Sequence, residues 1–272
     1  MNLSMISVIM GVYNGERFLR ESIDSVLNQT YSNFEFLICN DCSSDSSVDI
    51  LEEYAALDSR IKIIHNKNNM GLAASLNRCI DMAQGEFLAR MDCDDRCASN
   101  RFETQIEFLN CHKDVSVVGS NVYYMDDKGE VYGQSALDTG YISFFDAVKY
   151  NPLVHPTVMM RTEAVKSVNR YTVNALTSRA EDFDLWCKMC EKGYRLCSLQ
   201  EPLLYYREDM SNIVRRKYHC RIEEARLKYY WQRRANTPAK YLLYVVKPLL
   251  VGIIPLKVYR KLHKTHLTSK KS

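Results

Sequence analysis

Apolar and polar positions along this chain fall into short blocks whose period switches between two and about 3.6. Ile6-Ser7-Val8-Ile9-Met10 is a β-rich run, and Tyr13-Asn14-Gly15 interrupts it. Phe18, Leu19, Ile23, Val26 and Leu27 then recur at helical spacing. Phe34 to Cys39 is almost wholly apolar, as a strand covered on both faces should be. Ser46 to Leu57 predicts a helix with Ser44 or Asp45 near its cap. Ile61 to Ile64 predicts a third strand, Gly71 to Ala83 a helix, Phe87 to Met91 a fourth strand and Ser99 to Leu109 another helix. Repeated strand–helix units of this kind imply an α/β fold with a mostly parallel, doubly wound sheet.

After Val115-Ser116-Val117-Val118-Gly119 the rhythm changes. Tyr123 to Tyr132 reads as a hairpin around Asp126-Asp127-Lys128-Gly129, and Val158 to Met160 as a further strand. Asp182 to Glu191 predicts a helix, Leu203 to Tyr206 a late strand, and residues 213–234 a long, strongly charged helix.

Charge separates the two ends. Residues 211–272 hold 16 Lys and Arg against two acids, Glu223 and Glu224, while the remainder holds 20 basic and 31 acidic residues. An acidic body with a basic tail predicts that the tail meets something anionic, phospholipid or nucleic acid. We therefore divide the chain into a domain over residues 1–210 and a basic helical extension over 211–272. The segment Tyr241 to Tyr259 is apolar but broken by Lys247, Pro248, Pro255 and Lys257. That argues against a spanning helix and for one lying in the bilayer interface, or capping the core. The start of the chain lacks a basic leader, and the ten cysteines read as free thiols of a reducing cytosol. Cys187-Lys188-Met189-Cys190 has no second pair at zinc spacing.

The candidate chemistry lies where apolar runs end. Asn40-Asp41 closes the second strand, Asp92-Cys93-Asp94-Asp95 closes the fourth, and Glu181-Asp182 opens a helix. Ligands of α/β proteins bind at the carboxyl ends of such strands. Asp92 and Asp94, two apart on an extended chain, can face one ligand, and hard divalent cations such as Mg²⁺ or Mn²⁺ take oxygen donors. Asp41 is placed to accept from a base or ribose. Asp182 is a candidate general base, or simply an acid favoured by the helix dipole. His155 sits between Pro152 and Pro156, and Arg207 follows Tyr205-Tyr206. The turn Gly11 to Gly15 has neither dinucleotide-fingerprint nor P-loop spacing.

Seven segments in this order resemble the family 2 glycosyltransferases: Ser7 to Glu16, Ser22 to Thr30, Asn40 to Asp45, Asn69 to Leu72, Ala89 to Asp95, His155 to Met159 and Glu181 to Trp186. The resemblance covers about residues 4–208. It implies the GT-A fold, a Rossmann-like sheet flanked by helices, and inverting transfer from a UDP-sugar. Asp41 then looks like the uracil ligand, Asp92 and Asp94 like the DxD pair with Asp94 on a Mn²⁺ or Mg²⁺ ion, and Asp182 like the base. Gly11, Tyr13, His155 and Arg207 fall in stretches resembling nucleotide-sugar, acceptor or diphosphate contacts. The Gln-x-x-Arg-Trp signature of processive synthases is absent; Trp231-Gln232-Arg233-Arg234 has those residues in another order. One sugar added to a lipid-linked oligosaccharide is the implied reaction, in O-antigen or capsule assembly, at the inner face of the cell membrane and without nucleic acid. A nucleotidyltransferase would also need acids beside a parallel sheet, but it usually carries a basic glycine-rich loop after strand one. A nucleic-acid-binding protein would leave the acidic clusters without a role.

Overall fold

The apolar runs pair side by side. β1 (Ile6–Val12) lies parallel between β2 (Phe34–Asn40) and β4 (Phe87–Asp92), and β3 (Ile61–His65) adds parallel to the outside of β2. All seven residues of β2 are buried, including Glu35. The Glu35 carboxylate accepts from the Ser7 hydroxyl, the Lys62 ammonium and the Gln84 N–H, at 2.7, 2.8 and 2.8 Å. A buried charge needs such partners. The computed structural model describes residues 4–137, 140–208 and 218–253.

Alternation along each strand feeds two cores. Ile9, Leu37, Cys39 and Leu88 face α3 (Leu72–Met82), while Val8, Met10, Ile38 and Phe87 face α1 (Leu19–Leu27), α2 (Ser47–Leu57) and α4 (Arg101–Cys111). This is the covering on both faces that the apolar strands require.

Beyond β4 the sheet becomes mixed. β9 (Met159–Arg161) runs antiparallel to both β4 and β6 (Val115–Met125), and β6 pairs in parallel with β10 (Arg195–Arg207). The order is β3-β2-β1-β4-β9-β6-β10-β5, with β5 (Arg96–Cys97) at the edge. The hairpin forms as expected, its second arm being β7 (Val131–Gln134). β8 (Gly140–Ile142) and two short helices, α5 (Phe144–Lys149) and α6 (Thr162–Ser167), go beyond the sequence reading. β10 is far longer than Leu203 to Tyr206, because Pro202 sits at a register shift rather than ending the strand. A proline is tolerated at such a bulge.

α7 (Glu181–Glu191) begins as expected. α8 (Tyr218–Arg234) buries Leu227 and Trp231 in the same core as Phe183 and Trp186. α9 (Leu242–Ile253) accommodates Pro248, and no described helix is long and apolar enough to cross a membrane. The expected segments 213–217 and 254–259 lie outside the described residues. All ten cysteines are free.

Candidate active site

The carboxyl end of β2 is a closed polar knot. The Asp41 carboxylate is 3% exposed. One oxygen accepts from the Asn66 amide at 2.6 Å and the Met70 N–H at 2.8 Å; the other accepts from the Gly71 N–H at 2.8 Å. Gly71 has φ +86°, a left-handed conformation that glycine adopts without strain. The knot fixes the start of α3 and with it Leu72. Gly11, beside Asp92 in the β1–β4 register, leaves room for Leu72: a Cβ there would lie 2.9 Å from its Cδ1. Tyr13 is exposed.

The end of β4 is built differently. Asp92, Asp94 and Asp95 can each offer a carboxylate oxygen so that all three lie within 4.8 Å of one another. Burial, reinforced by the Asp92 charge, pushes the Asp94 carboxyl up to about 6. Burial and the charges of Asp94 and Asp92 push Asp95 well above its usual range. One Asp95 oxygen accepts from the Arg207 N–H at 2.8 Å, and the other is buried with no hydrogen-bond partner. Crowded, under-satisfied carboxylates of this kind suit a hard divalent cation, which would supply the missing charge and the missing partner.

Arg90 meets this cluster from within the strand. It is 2% exposed, and its guanidinium donates to Asp92 at 2.5 Å while its Nε has no partner. Arg207, expected on a ligand phosphate, is engaged elsewhere. Its Nε donates to the Asp94 carbonyl, one Nη to the Asp126 carbonyl and the other Nη to the Glu21 carboxylate, at 2.8, 2.8 and 2.5 Å. At 4% exposure it clamps the acidic loop from β10 instead of facing a ligand.

Across a cavity of about 400 Å³ stands the N-terminus of α7. The cavity is lined by Arg90, Asp92, His155, Arg179, Glu181 and Asp182, with Leu72 on the side of the Asp41 knot. Asp182 accepts from the Asn151 amide and from the Phe183 N–H. Burial raises its pKa, and those two donors oppose the rise. Burial and the neighbouring Asp182 charge push Glu181 up to about 7. His155 Nε2 lies 2.7 Å from the Tyr171 hydroxyl, and burial pushes its pKa well down, so the ring is neutral. Behind the site, Asp184 accepts from the Thr172 hydroxyl at 2.6 Å and the Trp231 indole N–H at 2.9 Å. That bond ties α7 to α8.

The structure thus gathers Asp92, His155 and Asp182 around one cavity, with Asp94 beside Asp92. Asp41, Gly11, Tyr13 and Arg207 are not among its lining residues. Sequence reasoning passed over Arg90 and Arg179, and gave Glu181 no role beside Asp182. Arg90 had a signal: it is a charge inside an apolar strand, two residues before Asp92 and so on the same side.

Comparison with known proteins decides the family. The model of glycosyl transferase family 2 matches residues 7–180. The chain belongs to glycosyl transferase family 2. It is 40% identical over 271 residues, 98% of this chain and 95% of the other, to the Bacillus subtilis protein named "Putative glycosyltransferase EpsE". It is 28% identical over 216 residues, 79% of this chain and 82% of the other, to the Escherichia coli UDP-Glc:alpha-D-GlcNAc-diphosphoundecaprenol beta-1,3-glucosyltransferase WfaP. In fold it is similar to S. aureus TarS 1-349 in complex with UDP-GlcNAc, at a TM-score of 0.70 and 20% identity over 90% of this chain and 70% of that one. This glycosyltransferase therefore has the GT-A fold, with the mixed half of the sheet and α7 closing its cavity.

Proposed function

We propose that this enzyme transfers one sugar, a hexose or N-acetylhexosamine, from a UDP-sugar to a lipid-linked saccharide with inversion, in assembly of a bacterial surface polysaccharide. The observation that carries the reading is the shared cavity: Asp92, from the end of β4, and Asp182, from the start of α7, line one space. WfaP, by its name, uses UDP-Glc and a diphosphoundecaprenol-linked acceptor, which supports this choice of donor and acceptor class. Asp92 and Asp94 would hold Mn²⁺ or Mg²⁺, with Asp95 beside them, and the bound cation would offset the charge of the departing diphosphate. Asp41 acts on the nucleotide side through the Met70–Gly71 segment it holds.

In the transfer step the acceptor oxygen attacks the anomeric carbon, the bond from that carbon to UDP breaks, and Asp182 takes the acceptor proton. The Asn151 amide aims its carboxylate, and the raised proton affinity of a buried carboxyl makes it a stronger base. Neutral His155, held by Tyr171, borders the acceptor side. The body over residues 1–210 carries the chemistry, and the extension over 211–272 rests on the anionic inner face of the membrane.

A screen of UDP-sugars for UDP release identifies the donor, and Asp182→Asn then tests the base. The variant should lose about 10²–10⁴-fold in transfer while thermal stabilisation by UDP is unchanged. Full activity in the variant removes Asp182 from this role.

A further inference from the structure

A second, smaller cavity lies where α8 passes into α9. Its volume is about 150 Å³, and Tyr229, Gln232, Arg233, Thr237, Ala239 and Leu242 line it. At about 30 Å³ per water this is room for some five waters, enough for a small polar headgroup and too little for a nucleotide-sugar.

Its chemistry asks for two things at once. Gln232 is 3% exposed; its amide donates to the Tyr241 carbonyl at 3.0 Å, but its side-chain oxygen is buried with no hydrogen-bond partner. A buried acceptor left unpaired is costly, so a ligand here should bring a hydroxyl. Arg233, exposed at the rim, is placed to meet an anion. Its neighbour Arg234 is engaged by Glu191 at 2.6 Å, whereas Arg233 makes no ion pair among the described residues.

The surroundings are apolar and face outward. Leu242, Leu243, Val246 and Leu250 are all exposed, Leu243 at 76%. Their spacing over α9 puts them on one side of the helix. Lys247 belongs to the same side, and Lys240 precedes the helix. The opposite side is anchored, since Tyr241 packs edge-on against Phe145 at 4.6 Å and Pro248 is buried. Since no described helix is long and apolar enough to cross a membrane, an outward apolar stripe with basic neighbours suits a helix lying in the interface. Tyr229, at 50% exposure, suits the headgroup layer.

We infer that the α8–α9 junction binds the phosphoglycerol headgroup of an anionic lipid: the phosphate meets Arg233, a glycerol hydroxyl donates to the Gln232 oxygen, and the acyl chains lie along the Leu242–Leu250 face. This rests on, and deepens, the membrane reading above.

The test uses the full chain and two sets of phosphatidylcholine vesicles. One set carries phosphatidylglycerol, and the other carries phosphatidylmethanol at the same mole fraction, which has equal charge but no hydroxyl. Flotation should show about fivefold tighter binding to phosphatidylglycerol, the worth of one hydrogen bond. Gln232→Met should erase the preference, and Arg233→Gln should weaken binding to both lipids several-fold. Arg226→Gln, an equal loss of charge at an exposed position of α8 outside the cavity, should weaken binding much less than Arg233→Gln. Leu243→Glu should release the protein from both vesicles. Equal binding to the two lipids overturns the headgroup site while leaving membrane contact standing. Binding to neither overturns both. If Leu243→Glu instead converts a dimer to a monomer and leaves flotation unchanged, the apolar face pairs two copies and the inference fails.

Discussion

Two parallel strands of the same sheet end in acids, and they end in opposite states. At the end of β2, Asp41 accepts three hydrogen bonds and closes on its own protein. At the end of β4, Asp92, Asp94 and Asp95 crowd together, with one Asp95 oxygen unpartnered and two of the three carboxyls pushed toward the protonated form. A satisfied carboxylate holds a loop in place. A set of crowded, under-satisfied ones is stabilised by something brought from outside. Position at a strand end therefore marks the ligand face of the sheet, but the hydrogen-bond inventory separates the acid that shapes the site from those left for a ligand.

The sharpest break between the two ends is in activity. Asp94→Asn should lower transfer by about 10²–10³-fold, the scale of removing one group that stabilises developing charge, with the fold intact by circular dichroism. Asp41→Ala should act on the fold first. It strands the Asn66, Met70 and Gly71 donors and costs about 2–4 kcal/mol, read as a lower midpoint in urea denaturation. If Asp41→Ala left stability unchanged and Asp94→Asn unfolded the chain, the contrast would be reversed.

A smaller effect comes from pH. An ordinary glutamate ionises near 4.3, whereas Glu181 is pushed up to about 7. Between those values the folded chain keeps a proton that the unfolded chain has lost. The stabilisation linked to that proton is complete below about pH 4, declines as pH rises and is gone above about 7. Glu181→Gln removes the dependence. The melting temperature of the variant relative to the parent should therefore rise by a few degrees between pH 5 and pH 8. A constant difference across that range would mean that Glu181 ionises normally.

The positions of these acids were legible in the sequence, but the contrast between them was not, since both strand ends were read there as ligand contacts and the hydrogen bonds that separate them come from distant segments. β1 to β4 were legible because each is a local apolar run, and the acids at their ends follow directly. The β6–β10 pairing was not, since it joins segments some eighty residues apart and β10 is interrupted at Pro202. β5 and β8, of two and three residues, are too short to carry a period. Asp92, Asp94 and Asp182 stood out in the sequence by their positions at a strand end and a helix start, and the family resemblance supplied their expected roles; Asp92 and Asp182 line one cavity, with Asp94 beside Asp92. The partners of Arg207 were not legible, because only the tertiary fold brings Glu21 and Asp126 to it. The Trp231–Asp184 bond, which builds the extension into the core behind α7, spans residues that no local pattern connects.

The account depends on the β4 acids gripping a cation that in turn grips a pyrophosphate. Calorimetric titration of UDP into the parent and into an Asp92→Asn/Asp94→Asn double variant, with and without Mn²⁺, measures this directly. We expect the parent to bind UDP strongly only when Mn²⁺ is present, and the double variant to bind it weakly under both conditions. UDP binding of equal strength in all four titrations would contradict the account.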